Sequence, residues 1–188
     1  MKFGAKRLLS ILCLGFMLIG LGNDQTYEVP ANVQVSLVMK ATPYCRALPE
    51  KLQGGAFVVG IMYQEKNRAS YLSMESLRDE FKKLNGTTKV ELKFLKLGEN
   101  GRPATDAWNG LSAIFLTPMR SADLPHILDQ TAAKDIWSIA VDPADCRRGA
   151  TMSFELVDSR PKFMINLKSA SAENCDFSSQ LLKLAHTL

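Results

Sequence analysis

Apolar positions along this chain recur with two different periods. From Ala31 to Leu48, the residues Val33, Leu37, Val38, Ala41, Cys45 and Leu48 share one face of a helix that Pro30 precedes and Pro49 ends. Pro43 lies inside that span and predicts a kink, because proline removes a ladder hydrogen bond and its ring meets the carbonyl four residues back. Ala56 to Tyr63 (AFVVGIMY) is a continuous apolar run, the pattern of a strand buried on both faces of a parallel sheet. A helix follows, with Leu77, Phe81 and Leu84 on one side and Gly86 at its end. Val90 to Leu97 alternates through Val90, Leu92 and Phe94, which predicts a strand with one wet face. After a loop from Gly98 to Pro103 and a short helical turn comes the strand Leu111 to Thr117. Ser121 or Asp123 can cap the next helix, whose first turn tolerates Pro125, and Ile136 to Val141 is a further strand.

Gly149 to Leu156 and Lys162 to Leu167 break this alternation. Only a turn around Asp158 and Ser159 separates them, so they pair as an antiparallel hairpin. A short helix comes next, and Ser178 then stands as the N-cap of a closing helix. That places Phe177 at N′ and Leu182 at N4, the spacing of a hydrophobic staple, with Leu181, Ala185 and Leu188 along one stripe. The predicted fold class is α/β: a mostly parallel sheet covered by helices on both faces, with a C-terminal antiparallel hairpin and closing helix.

Met1 to Gly22 has the pattern of a cleaved signal peptide. Lys2, Lys6 and Arg7 form a basic n-region, Leu8 to Leu21 an apolar h-region, and Gly20 and Gly22 the small residues at the cleavage point. A membrane helix needs about 20 apolar residues, so the segment is short for an uncleaved anchor. Cys13 lies mid-segment, which argues against a lipid anchor. The domain reading is therefore 1–22 signal peptide and 23–188 one α/β domain, long enough to bury a core of its own. Taking the three basic residues of the leader from the 23 Lys and Arg leaves 20 against 19 Asp and Glu, a mature net charge of +1. That balance gives no support to nucleic-acid binding, which needs a concentrated basic face.

Motifs for catalysis are missing from the sequence. Its two histidines, His126 and His186, both predicted on helices, belong to no metal-binding spacing and to no nucleophile motif. Gly54 and Gly55 precede a strand instead of following one, and Glu99 to Arg102 lacks the lysine of a phosphate-binding loop. No catalytic residue, metal ligand or cofactor is assigned. Asn85 to Thr87 matches a glycosylation sequon. Arg46 can cap the helix before it or reach a partner. Asp142, Asp145, Arg147 and Arg148 read as a polar loop after a strand, where ligands tend to sit in open α/β sheets.

Three cysteines remain after the leader: Cys45, Cys146 and Cys175. In an oxidising compartment two of them would pair. Antiparallel pairing brings the region near Gly149 beside the region near Leu167, and Cys146 and Cys175 lie just outside those points. The expected disulfide is therefore Cys146 to Cys175, a staple of the C-terminal unit, with Cys45 a buried free thiol.

The run from Phe163 to Leu167 (FMINL), Ala170, and Phe177 to Ala185 (FSSQLLKLA) resembles the C-terminal signature of the YfiR/HmsC family of periplasmic proteins. Tyr44 and Arg46 before Gly54 and Gly55, the strand from Leu111 to Thr117 and the strand opened by Gly149 are similar to the same family. Cys45 stands where an acidic residue is expected, and Cys175 where a small one is. The resemblance implies a non-enzymatic periplasmic regulator that binds the periplasmic domain of an inner-membrane diguanylate cyclase, or a related sensor, and lowers cyclic di-GMP and biofilm formation. Members of the family contain disulfides, and a homodimer is possible on this reading. It assigns no partner-binding residue, because the binding surface does not lie in the matching motif. Two other readings remain. One is a periplasmic small-ligand sensor using the loops Glu99 to Pro103, Thr117 to Ser121 and Asp142 to Arg148; the other is a hydrolase or thiol enzyme using Cys45.

Overall fold

The computed structural model describes residues 29–84, 89–120 and 122–188. The predicted leader, Gly86 as a helix end, the sequon at Asn85 and Ser121 as a cap all lie outside these residues.

The core is a seven-stranded sheet in the order β2-β1-β3-β4-β5-β6-β7, with strands Ala56–Tyr63 (β1), Lys89–Lys96 (β2), Ala113–Leu116 (β3), Trp137–Ala140 (β4), Met152–Val157 (β5), Arg160–Ile165 (β6) and Ala185–Thr187 (β7). β2, β1, β3, β4 and β5 run parallel, β5 and β6 are antiparallel, and β7 pairs parallel with β6. Alternation along β1 shows how both faces are covered. Phe57, Val59 and Ile61 join the cluster that contains Val35, Val38, Met74, Leu77 and Phe81. Ala56, Val58 and Met62 join a second cluster with Leu124, Ile127 and Trp108. The first cluster is built by helices Ala31–Ala41 (α1) and Arg68–Lys82 (α3), the second by Leu124–Ala133 (α4) and the 3₁₀ turn Thr105–Trp108. The fold class read from periodicity is the one observed.

Local chemistry explains the element ends. Asn67 and Asp123 accept hydrogen bonds from Ala69 N and His126 N and so cap α3 and α4. Asp158 and Ser159 both have positive φ, 50° and 60°, the geometry of the two-residue turn that matches strand twist, and Val157 pairs directly with Arg160 across it. Gly149 sits at φ 125°, where a Cβ would lie 2.9 Å from Leu128 Cδ1, so glycine is required at the entry to β5.

Three expectations are corrected. The first helix does not run kinked to Leu48: α1 stops at Ala41, Pro43 falls in a 3₁₀ turn (Thr42–Tyr44), and Cys45 is extended. Pro49 ends nothing; it lies in the first turn of the short helix Leu48–Lys51 (α2), where a missing N–H costs little. The polar segment after β4 is no loop but a one-turn helix, Pro143–Arg147 (α5), with the Asp142 carboxylate accepting from Ala144 N. At the C-terminus, Leu167–Ala172 (α6) is the expected short helix and Ser178 does cap the next one, accepting from Leu181 N. That helix (α7) covers only Ser179–Leu182. Ala185 and His186 continue as β7, because the free edge of β6 offers the backbone a ladder that a last helical turn would leave unused.

Candidate functional site

The chain moves from β1 leftward to β2 and then rightward to β3, so the order of the parallel strands reverses between β1 and β3. A crevice is expected beyond the carboxyl ends of strands at such a point, and one is present. Gln64, Lys66, Asn67, Arg68, Ala69, Leu72 and Arg120 line a cavity of about 620 Å³. A second cavity of about 380 Å³ shares Ala69 and Leu72 with it and reaches Val29, Gln34, Pro118 and Val141. Side-chain bonds to backbone hold the rim: Gln64 Oε1 accepts from Arg120 N at 3.2 Å, and Asn67 Nδ2 donates to Pro118 O at 3.2 Å. The Ser70 and Thr117 hydroxyls meet at 2.6 Å beneath it.

Two features suit this crevice to a polar ligand. Lys66, Arg68 and Arg120 give the mouth a positive character, and among the described residues only Lys66 has an ion-pair partner, Glu99 at 3.6 Å. Gln34 is 2% exposed, its Nε2 donates to Val29 O at 2.6 Å, and its Oε1 has no hydrogen-bond partner. A buried acceptor left unpaired costs about 1–3 kcal/mol, which a ligand N–H or O–H beside it would recover.

The three ligand-loop candidates separate. Arg120 lines the crevice and Pro118 the cavity next to it, while Glu99 lines an adjoining cavity of about 240 Å³ that shares Gln64 and Lys66 with the crevice. Arg102 turns instead to Asp123, 2.7 Å away. Asp142 caps α5, while Arg147 and Arg148 line another cavity, of about 380 Å³, with Leu128, Gly149, Lys168 and Glu173. Arg147 pairs with Glu155 and Arg148 with Asp145. His186, on β7 and not on a helix, has its Nδ1 2.8 Å from Oε1 of Glu155 on β5, and His126 is on α4. Arg46 caps no helix and pairs with Asp176 at 3.4 Å. Among the described residues no cluster could hold a metal ion.

A buried polar network joins the C-terminal unit to the sheet. Glu173, 2% exposed, has Ser138 N donating to Oε2 at 2.8 Å and Thr151 Oγ1 donating to Oε2 at 2.5 Å, with Thr131 Oγ1 2.6 Å from Oε1. Burial pushes its carboxyl above the ordinary range, outweighing the bonds from Ser138, Thr131 and Thr151 that favour the carboxylate. Lys51, 5% exposed, donates to the carbonyls of Glu173, at 2.7 Å, and of Asp135. Neither residue stood out in the sequence, since a single Glu or Lys among small residues has no periodic signature. Gln34 was hidden for the same reason.

Among the described residues, Cys45, Cys146 and Cys175 are all buried, with no bond drawn between any two of them. The neighbour expected for Cys175 was Cys146, but the segment beside it is that of Cys45, which bridges Phe177, and the Cys175 thiol is directed at Glu173 O, 3.7 Å away. Cys146 is directed at the Met164 carbonyl, 3.7 Å away, because α5 turns its side chain under the end of β6. Burial pushes the Cys146 thiol up to about 12.

The sequence profile described as YfiR/HmsC-like matches residues 32–186. The chain belongs to the YfiR/HmsC-like family. Membership brings the coarse assignment of a periplasmic regulatory protein. No curated protein matches the chain significantly. Among solved structures, the ABC domain in complex with L-Trp from Streptococcus pneumonia has 14% identity and a TM-score of 0.59, covering 84% of this chain and 61% of that one. A conserved domain protein from Vibrio cholerae O1 biovar El Tor has 12% identity and a TM-score of 0.56, covering 84% of this chain and 60% of the other. The chain thus spans about three fifths of each, and the likeness is one of fold. Among the described residues no helix is long and apolar enough to cross a membrane.

Proposed function

We propose that residues 1–22 are a cleaved export signal and that residues 23–188 act in the periplasm by binding the periplasmic domain of an inner-membrane diguanylate cyclase and holding it inactive. The family match over residues 32–186 carries this reading. The regulator works by population shift: it holds the cyclase off only as far as it binds the inactive conformation more tightly. Turning a 1:99 mixture into 99:1 needs a preference of about 10⁴-fold. The role is binding without turnover, needing no cofactor.

Purified residues 23–188, added to inner-membrane nanodiscs from a host lacking the gene, test it. Conversion of GTP to cyclic di-GMP should fall in a saturable way. Unchanged conversion at all concentrations, with the cyclase demonstrably active, counts against the reading.

The crevice supports a second reading, a small-ligand sensor serving another membrane signalling protein. Its mouth of Lys66, Arg68 and Arg120 and the unpaired Gln34 oxygen fit a small ligand bearing a carboxylate and an N–H group. The similar Streptococcus structure holds L-Trp. Amino acids screened by thermal shift should raise Tm in the wild type and not in Arg120→Ala if this reading holds. No shift with any of them removes it for that class.

A further inference from the structure

We propose that Cys45 and Cys175 are joined by a disulfide bond in the exported protein, tying the turn after α1 to the segment before α7.

The backbone sets the two segments side by side. Cys45 and Phe177 form an antiparallel bridge, Arg46 N donates to Asp176 O at 2.8 Å, and Ser178 N donates to Tyr44 O at 2.8 Å. The opposed Cα atoms of Cys45 and Phe177 are about 4.5–5.5 Å apart, so the two segments are in direct contact. Cys175 precedes the bridge by two residues, and a tight turn brings it back: Phe177 N donates to Cys175 O at 3.1 Å. The two side chains therefore face one another: each thiol is the largest influence on the other's ionisation, while Cys175 Sγ also lies 3.7 Å from Glu173 O. Both are buried, at 2% and 4% exposure, among core side chains, and Cys175 also lines a cavity of about 290 Å³ with Ala170, Asn174 and Phe177.

The surroundings also favour the chemistry. The hydrogen bond from the Cys175 thiol lowers the Cys45 thiol to about 7 against the opposing effect of burial, and the buried Lys51 ammonium lowers it further. The same contact and burial push Cys175 up, so Cys45 is the sulfur that ionises. The oxidant is a disulfide, carried by a small molecule or by an exchange enzyme of the oxidising compartment. Cys45 Sγ attacks one sulfur of that disulfide. A mixed disulfide forms, and the other oxidant sulfur leaves as a thiolate. Cys175 then gives up its proton and attacks Cys45 Sγ, expelling the second oxidant sulfur. Two thiols have lost two protons and two electrons, and the oxidant ends as two thiols. Cys146 is left as the free thiol, held against Met164 O.

The export reading enters only through the compartment, and the test separates the two. The full chain is produced by export and purified without reductant, while residues 23–188 are produced reduced and treated with oxidised glutathione. Both are alkylated, digested without reduction and mapped. A peptide pair linking Cys45 to Cys175, with Cys146 alkylated, is the expected result in both samples. The link should persist in Cys146→Ala and vanish in Cys45→Ser and Cys175→Ser, and its reduction should lower Tm by roughly 5 to 15 °C. A link through Cys146, or three alkylated cysteines after glutathione treatment, overturns the proposal. A link in the glutathione sample and none in the exported sample supports the pairing and counts against export.

Discussion

Replacing Glu173 with alanine should lower the free energy of unfolding by about 3–5 kcal/mol, through two effects that act at one position. The substitution strands Ser138 N and the Thr151 hydroxyl, both of which donate to the carboxyl, in a region that water does not reach. Each unpaired buried group costs about 1–3 kcal/mol, and the vacated volume adds to that. Glu173→Gln separates charge from shape. Thr131 Oγ1 lies 2.6 Å from Glu173 Oε1 and 2.9 Å from Leu128 O, and a hydroxyl has one proton to donate. With that proton on Leu128 O, the protonated carboxyl donates to Thr131 and accepts from Ser138 and Thr151, a pattern that glutamine reproduces.

The pH dependence follows from the same geometry. The folded-state pKa of Glu173 is raised above the ordinary value of 4.5, so its contribution is fully present below the unfolded pKa and is lost as pH rises through the folded pKa. Glutamine does not titrate. Denaturant midpoints at about pH 5 and about pH 8 should therefore show the wild type ahead of, or within about 1 kcal/mol of, Glu173→Gln at the lower pH, and losing ground to it at the higher. A gap that stays constant across this range would contradict the neutral carboxyl.

Trp137→Ala should cost about 3–5 kcal/mol. The ring is fully buried on β4 between Phe57, with centroids 6.4 Å apart, and Phe177, edge-on at 5.4 Å. It links the first parallel strand to the C-terminal signature. Its Nε1, however, has no hydrogen-bond partner. Trp137→Phe removes that orphan donor along with part of the area, so its cost should be no more than about 2 kcal/mol. Urea unfolding followed by far-ultraviolet circular dichroism measures both variants. Equal losses would mean that the indole nitrogen is satisfied in solution.

Most of the sheet was legible because its strands are continuous apolar runs between strong punctuators. Ala56 to Tyr63 was read to the residue, and Asp158 and Ser159 marked the hairpin. The parts that were missed depended on tertiary partners. Nothing local to Cys45 says that it leaves the helix to bridge Phe177, 132 residues later, and no local pattern turns Ala185 from a helical stripe into an edge strand. The hairpin did bring the start of β5 beside the end of β6, as argued. What the sequence did not show is that α5 turns Cys146 toward Met164 O and that the short turn at Phe177 sets Cys175 beside the Cys45 segment. Around the crevice, the loops at Glu99 and Thr117 were among the ligand loops expected, whereas Gln34 comes from α1, which was read only for its apolar face.

Cellular cyclic di-GMP in the native host, with the gene deleted and with it restored, tests the regulatory role most directly. Deletion should raise the level, and the full chain should bring it back while a version lacking residues 1–22 should not. An unchanged level on deletion, under conditions where the protein is present, would contradict repression of a cyclase.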